Sequence, residues 1–198
     1  MSTYNAIKYN VSFANAGGLK LIKTLTASSS STLSFVDGAS DVVLDNTYKE
    51  YLFIFNNIHA SEQAHLTVNF SVDSGSNYNV SKTTTFFFGS HDEADTATSL
   101  SYQSSHDITG TGAHSLGLSF SSDNDAGGAG YMHLFDPSNT TFVKHFIAVT
   151  GGFTDSDYYN TNCTAGYANT TSAVDAVQFS MASRTIDAGN IQLFGVVS

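Results

Sequence analysis

The stretch from Tyr48 to Val72, YKEYLFIFNNIHASEQAHLTVNFSV, decides the fold of this chain. In its second half Leu66, Val68 and Phe70 alternate with polar residues. A period of two places apolar and polar side chains on opposite faces of a β-strand. Residues 51–55 (YLFIF), in the first half, are apolar on both faces, which predicts a strand covered on both sides at the centre of a sandwich.

The same pattern recurs along the chain between turn signals, and no apolar pattern of helical period persists for ten residues. We therefore expect an all-β fold, an antiparallel, jelly-roll-like β-sandwich of about 9–11 strands. Residues 1–18 are expected to form an N-terminal arm, and residues 19–198 a single sandwich domain. Residues 89–128 are predicted to be long loops around one or two weak strands, and residues 151–162 to be a loop.

The composition is poor in charge and acidic. Charged residues make up 12% of the 198 positions, against roughly 25% in ordinary domains. With 7 Lys and Arg against 17 Asp and Glu, the formal net charge is −10, which disfavours binding to nucleic acid or to anionic membranes. Cys163 is the only cysteine, so no disulfide within the chain is expected. The first residues lack the pattern of a signal peptide, and synthesis in a cytoplasm is expected.

Two acidic segments could in principle bind a metal ion. His91, Asp92, Glu93 and Asp95 combine imidazole and carboxylate ligands, but their spacing matches no known loop motif. A solvated acidic loop is therefore the preferred interpretation. The Asp123-Asn124-Asp125 segment, followed by glycines, resembles part of a calcium loop without the later bidentate Glu. A simple turn is preferred there, so we expect no metal, with Asp123 and Asp125 as the candidates if one is bound.

No arrangement of residues indicates catalysis. A Ser-His-Asp triad is possible on paper, but no Gly-x-Ser-x-Gly elbow is present. Cys163, on a predicted strand, is expected to be a small buried residue rather than a nucleophile. We therefore expect a protein that is not an enzyme and needs no cofactor. Tyr158 and Tyr159 could contact a sugar ring or a partner protein, and His91 and Asp92 are grouped with them as candidate contact residues.

The predicted sheet edges have few guarding residues. Monomeric sandwiches usually protect their edges with Lys, Pro or inward charges, whereas this chain has six Lys, one Arg and one Pro. A surface of hydroxyl groups with little charge also does little to keep copies apart. The hypothesis from these residues is that edges and faces are covered by neighbouring subunits, in a homo-oligomer or a larger assembly.

A set of segments spread over nearly the whole chain carries a family resemblance. The segments are residues 21–24 (LIKT), 41–49 (DVVLDNTYK), 55–59 (FNNIH), 73–79 (DSGSNYN), 133–138 (HLFDPS), 140–146 (TTFVKHF), 165–167 (AGY), 169–179 (NTTSAVDAVQF) and 186–196 (IDAGNIQLFGV). Together they resemble a family of virion-associated structural proteins of marine tailed bacteriophages. Residues 1–18 extend beyond the usual start of this family, while residues 89–130 and 151–162 match it poorly. These poorly matching segments are expected to include any partner-specific surface.

The resemblance implies a structural protein of the virion, and a capsid decoration or cement protein is the first expectation. Its partners would be other copies of itself, a trimer being one option, and virion proteins such as the major capsid protein. The family has no established catalytic residues to transfer. Two alternatives remain open: a tail or fibre component that binds host-surface glycan, and a glycan-cleaving enzyme that uses Asp92, Glu93, Asp123 and Asp125.

Overall fold

The computed structural model describes residues 18–197, and every regular element in that range is a β-strand. All strand pairs are antiparallel, so the predicted antiparallel β-sandwich is confirmed, while the jelly-roll assignment stays a prediction. The strands are β1 (Gly18–Thr26), β2 (Leu33–Val36), β3 (Glu50–Ala60), β4 (Ala64–Ser71), β5 (Lys82–Asp92), β6 (Thr98–Tyr102), β7 (Thr109–Gly110), β8 (His114–Phe120), β9 (Gly128–Phe135), β10 (Lys144–Phe153), β11 (Tyr158–Ala168), β12 (Ala176–Met181) and β13 (Ile186–Val197).

The strands form two sheets of unequal size. The large sheet has the order β1-β13-β3-β9-β10-β11-β5-β6, with the short β7 also paired to β5. The small sheet has the order β2-β12-β4-β8. The small sheet packs against one side of the large sheet, which is called the inner side here. The outer side of the large sheet therefore has no layer over it among the described residues.

The core lies between the two sheets and is rich in aromatic rings. Phe35, Phe53 and Phe179 pack edge to face, with ring centroids 5.2 to 6.2 Å apart. Edge-to-face packing sets the positive ring edge against the negative face of its neighbour, which adds to the gain from burial. Tyr51 is also fully buried, and its hydroxyl donates to the Asp45 carbonyl at 2.9 Å. The aromatic residues that fill this chain thus fix the spacing of the two sheets.

Phe120, at the end of β8, lies in a slot formed by glycines. A Cβ atom on Gly117 or Gly152 would come within 2.6 Å of its ring, and one on Gly128 closer still. These three positions belong to β8, β9 and β10, which meet around the ring. Glycine is required here because any side chain would occupy the volume that the ring fills.

Two lysines point into the sandwich rather than into water. Lys82 and Lys144 are fully buried, and burial lowers the pKa of both, that of Lys82 to about 8. The Lys82 ammonium lies 2.5 Å from Asn69 Oδ1, 2.8 Å from the Val80 carbonyl oxygen and 5.9 Å from the centre of the Phe70 ring. These neutral partners satisfy its donors without a carboxylate.

His114 is the third buried ionisable group. Its Nδ1 lies 3.2 Å from Thr84 Oγ1, and its Nε2 lies 2.6 Å from Thr164 Oγ1. Because the Thr164 hydroxyl donates to the Thr85 carbonyl at 2.8 Å, it accepts the Nε2–H of His114. In the neutral ring Nδ1 then accepts from the Thr84 hydroxyl. Burial, and then the charge of Lys82, lower the pKa of His114 to about 4.

Two sequence predictions about irregular segments are wrong. The structure has thirteen strands rather than nine to eleven, and residues 89–128 hold three complete strands, β6, β7 and β8, where one or two weak strands were expected. Residues 151–162 are not a loop: β10 continues to Phe153 and β11 begins at Tyr158, which leaves only a turn at residues 154–157. Backbone pairing to neighbouring strands fixes both segments, although their side chains are mostly small or polar. The arm predicted for residues 1–18 lies, except for Gly18, outside the described residues.

Candidate functional site

The candidate site is the outer face of the large sheet. Tyr51, Phe53 and Phe55 of β3 are buried against the small sheet, so Leu52 and Ile54 between them point outward. The pairing of the strands places the positions next to Leu52 and next to Ile54 on the same side of the sheet, in two rows. The outer face is defined by the row Leu21, Phe194, Leu52, His133, Ile147, Ala165 and Thr85, and by the row Thr24, Gln192, Ile54, Tyr131, Val149, Cys163, Phe87 and Tyr102.

Large apolar side chains on this face are open to solvent. Tyr102 is 60% exposed, Leu21 49% and Ile147 48%. Leu19, Leu100 and Tyr159 extend the exposed apolar surface on the same side of the sheet. Single exposed apolar residues are ordinary, but a contiguous set marks an interaction surface.

The outer face is also free of ionised groups. Neither row contains Asp, Glu, Lys or Arg, although the chain as a whole has a formal net charge of −10. Two carboxylates touch the face: Glu50 accepts a hydrogen bond from the His133 ring, and Asp107 accepts one from the Tyr102 hydroxyl. A partner that covers the two rows would therefore bury no ionised group of the rows themselves, which lowers the cost of forming an interface.

A ridge and two shallow grooves shape the face. Tyr131 and Ile147 form the ridge over β9 and β10. The first groove, of about 360 Å³, lies beside Leu52 and Ile54. The second groove, of about 500 Å³, lies over β10, β11 and β5, where Ala165 has small outward neighbours. Both grooves are mainly apolar, so they suit apolar side chains of a partner rather than a polar small molecule.

The four candidate contact residues from the sequence meet at one end of the large sheet. Tyr158 pairs with Asp92, and Tyr159 pairs with His91, on the neighbouring strands β11 and β5. Tyr159 and His91 point outward and continue the outer face, whereas Tyr158 and Asp92 point to the other side. The structure thus brings the four residues together, with only Tyr159 and His91 on the exposed apolar side, and their role as contact residues stays a prediction.

Asp92 has a structural partner set of its own. Its carboxylate accepts hydrogen bonds from the backbone N–H groups of Thr96 and Ala97, at 2.9 and 2.7 Å, and from the Thr96 hydroxyl. These bonds lower the pKa of Asp92, with the Thr96 hydroxyl as the largest cause. The carboxylate thus closes the turn after β5. His91 Nε2 lies 3.1 Å from Asp95 Oδ1 at the surface.

Asp125 lines a polar groove of about 550 Å³ beside the C-terminal end of β3. Asn57, His59, Asn124 and Asp187 also line it. The Asp123 carbonyl, rather than its carboxylate, bonds His59 Nε2 at 3.1 Å. Within residues 18–197 no group of three or more His, Cys, Asp or Glu side chains could hold a metal ion.

Sequence reasoning missed most residues of the outer face, although one signal was available. Residues 51–55 were predicted to be covered on both sides: the small sheet covers Tyr51, Phe53 and Phe55, whereas Leu52 is buried and Ile54 half-buried only by their neighbours on the outer side. Cys163 is also not a buried residue, since it is half-buried and belongs to the outer face. Its outward position follows from the register of β11, which sequence alone does not give.

Two of the four sheet edges are better guarded than the composition suggests. The edge strand β1 carries Lys20 and Lys23, and the edge strand β2 has only four residues. Charged and short edge strands discourage edge-to-edge pairing. The other two edge strands, β6 and β8, carry neither Lys nor Pro, so these edges and the outer face are the surfaces that lack a guard or a covering layer among residues 18–197.

Comparison with known proteins adds no relative. No family model matches this chain, and no curated protein and no solved structure matches it either. Among residues 18–197, no helix has the length and apolar character needed to cross a bilayer. Functional inference therefore depends on the outer face and on the sequence resemblance described above.

Proposed function

We propose that this chain is a structural protein of a bacteriophage virion, with capsid decoration or cementing as its role. The observation behind this proposal is the outer face, an apolar surface without ionised groups that one copy of the chain leaves uncovered. A protein that works by burying surface needs such a face and needs no catalytic group. The family resemblance supplies the virion as the setting.

The function is mechanical in this proposal. Each copy would hold neighbouring subunits together by removing apolar side chains such as Leu21, Ile147 and Tyr102 from water. Interfaces above about 1,000 Å² in total are large enough to be stable without covalent chemistry. The buried aromatic core keeps the sheet rigid, so little conformational entropy is lost when the face is covered.

Localisation in the particle tests this proposal. Antibodies raised against the purified chain would be applied, with gold labelling, to intact particles of the phage that encodes it. Label distributed over the capsid supports the decoration role. Intact particles without label, from a lysate in which the chain is detected, would overturn the proposal.

A second candidate function is glycan binding by a tail or fibre component. The polar groove lined by Asn57, Asn124, Asp125 and Asp187 favours it, since amide and carboxylate groups hydrogen-bond sugar hydroxyls. Label confined to the tail, together with glycan-array binding that Asp125→Ala abolishes, would support this candidate. Asp157→Ala, an exposed aspartate outside the groove, is the matched control.

A further inference from the structure

We propose that the outer face binds the outer face of a second copy of this chain, so that two large sheets pack face to face. The inference deepens the proposed function, on which it rests for its setting, by naming the partner. Three properties of the face support it, namely its area, its charge and its shape.

The area of the face matches what a stable dimer needs. Neighbouring strands lie about 4.8 Å apart and residues rise about 3.3 Å along a strand, so the two rows alone cover roughly 35 Å by 13 Å; with one further outward row on each side of them, the surface covers roughly 35 Å by 25 Å, or about 900 Å². A typical stable interface buries about 800 Å² on each partner. Stacked sheets pack about 10 Å apart, a spacing that outward residues such as Ile147 and Tyr131 can fill. Two copies would thus bury an area of ordinary interface size.

The distribution of charge restricts how two copies can approach. Each chain carries a formal net charge of −10, so two copies repel one another over most of their surfaces. The two rows of the outer face hold none of the Asp and Glu residues responsible. Apart from Glu50 and Asp107, which contact His133 and Tyr102, contact through this face keeps the carboxylates of the two copies away from the rows in contact, and salt should screen the remaining repulsion.

The relief of the face is complementary to itself. The ridge of Tyr131 and Ile147 lies beside the groove over Ala165 and Thr85. A two-fold axis that runs parallel to the strands, midway between ridge and groove, places the ridge of each copy in the groove of the other. A two-fold interface always uses the same patch on both subunits, so one ridge next to one groove is sufficient.

Sedimentation velocity on the full chain tests the inference, from 1 to 200 µM and at 50 and 500 mM NaCl. We expect a species of twice the 21.0 kDa monomer mass, with a dissociation constant that falls as salt rises. Ile147→Lys should raise that constant about 100-fold or more, because each dimer would bury two lysines at its centre. Phe142→Lys is the matched control, since Phe142 is 69% exposed but lies before β10 and off the face. It should leave the constant within about twofold of the wild-type value.

Cys163 provides a second measurement that needs no variant. It is the only cysteine and lies in the outer face, so dimerisation should slow its reaction with a thiol reagent as protein concentration rises. A monomer at 200 µM with concentration-independent labelling would overturn the inference, as would a dimer that Ile147→Lys leaves intact. Binding of the face to a capsid protein alone would give the first of these results. The proposed function is judged separately, by whether antibody finds the chain on the particle.

Discussion

Acidification should weaken the fold through His114. The ring is fully buried and neutral, and its pKa is about 4 in the folded chain against 6.5 when it is free in water. Between these values the unfolded chain binds a proton at this residue and the folded chain does not, so the free energy of unfolding falls as the pH falls. One pKa unit corresponds to 1.36 kcal/mol, so lowering the pH from 7.5 to 5.0 should cost about 2 kcal/mol.

The loss can be separated from other acid effects. Burial also lowers the pKa of His65 and His106, which act in the same direction. Hydrogen-bonded carboxylates such as Asp92 and Asp136 have pKa values below 3.8, so they contribute only at lower pH. Comparison with a variant of His114 itself therefore isolates its share of the loss at pH 5.0.

Urea unfolding of wild type and His114→Gln at pH 7.5 and 5.0 measures this share. With a slope of about 2 kcal/mol per molar urea, the wild-type midpoint should fall by about 1 M more than that of the variant. His91→Gln, which alters an exposed ring, should behave as wild type does. Equal losses in wild type and His114→Gln would refute the assignment of a buried neutral ring.

Three further predictions concern the described residues. The free energy of unfolding of the wild type should rise by about 2 kcal/mol between pH 7.5 and 10, and that of Lys82→Met should not. The reason is that Lys82, with a pKa of about 8 in the folded chain, loses its proton at a lower pH than the same lysine does in the unfolded chain. Urea midpoints at both pH values measure the difference. Gly152→Ala should cost 1–3 kcal/mol, about the usual penalty for overpacking, by crowding the Phe120 ring, whereas Gly112→Ala, with open space around it, should be near neutral in thermal melts. Asp157→Gly should raise the melting temperature slightly, because it relieves a φ of 59°. Asp155→Gly should lower the melting temperature, because Asp155 accepts hydrogen bonds from Ser121 and Ser122. Changes in melting temperature of the opposite signs would contradict both predictions.

Sequence periodicity was sufficient to predict the fold class because a strand buried on one face has apolar residues at every second position. Leu66, Val68 and Phe70 alternate in the sequence and are all buried in β4. Periodicity does not predict strands that are stabilised by backbone hydrogen bonds to their neighbours rather than by burial of alternate side chains. The start of β11 combines tyrosines, asparagines and threonines, and its pairing to β5 depends on residues some 70 positions away along the chain.

The outer face could be predicted only in part. Apolar residues on both sides of β3 indicated two covering layers, but sequence cannot tell whether the second layer comes from the same chain. The row that joins Ile147 to Ala165 and Thr85 depends on register across three strands. No local pattern specifies such a register, so the continuity of the face becomes visible only in the structure.

The placement of charge distinguishes this sandwich from a monomer designed for water. Lys82 and Lys144 lie inside, where burial lowers their pKa values, while the broad outer side of the large sheet carries no lysine in either of its rows. Moving two charges outward would be the simplest way to solubilise such a face. The two rows cover about 450 Å², the size of the largest apolar patch on an ordinary monomer, and such a patch is often a functional surface. The lack of charge is an advantage if another protein covers the face, because no ionised group of the two rows would then lose its contact with water.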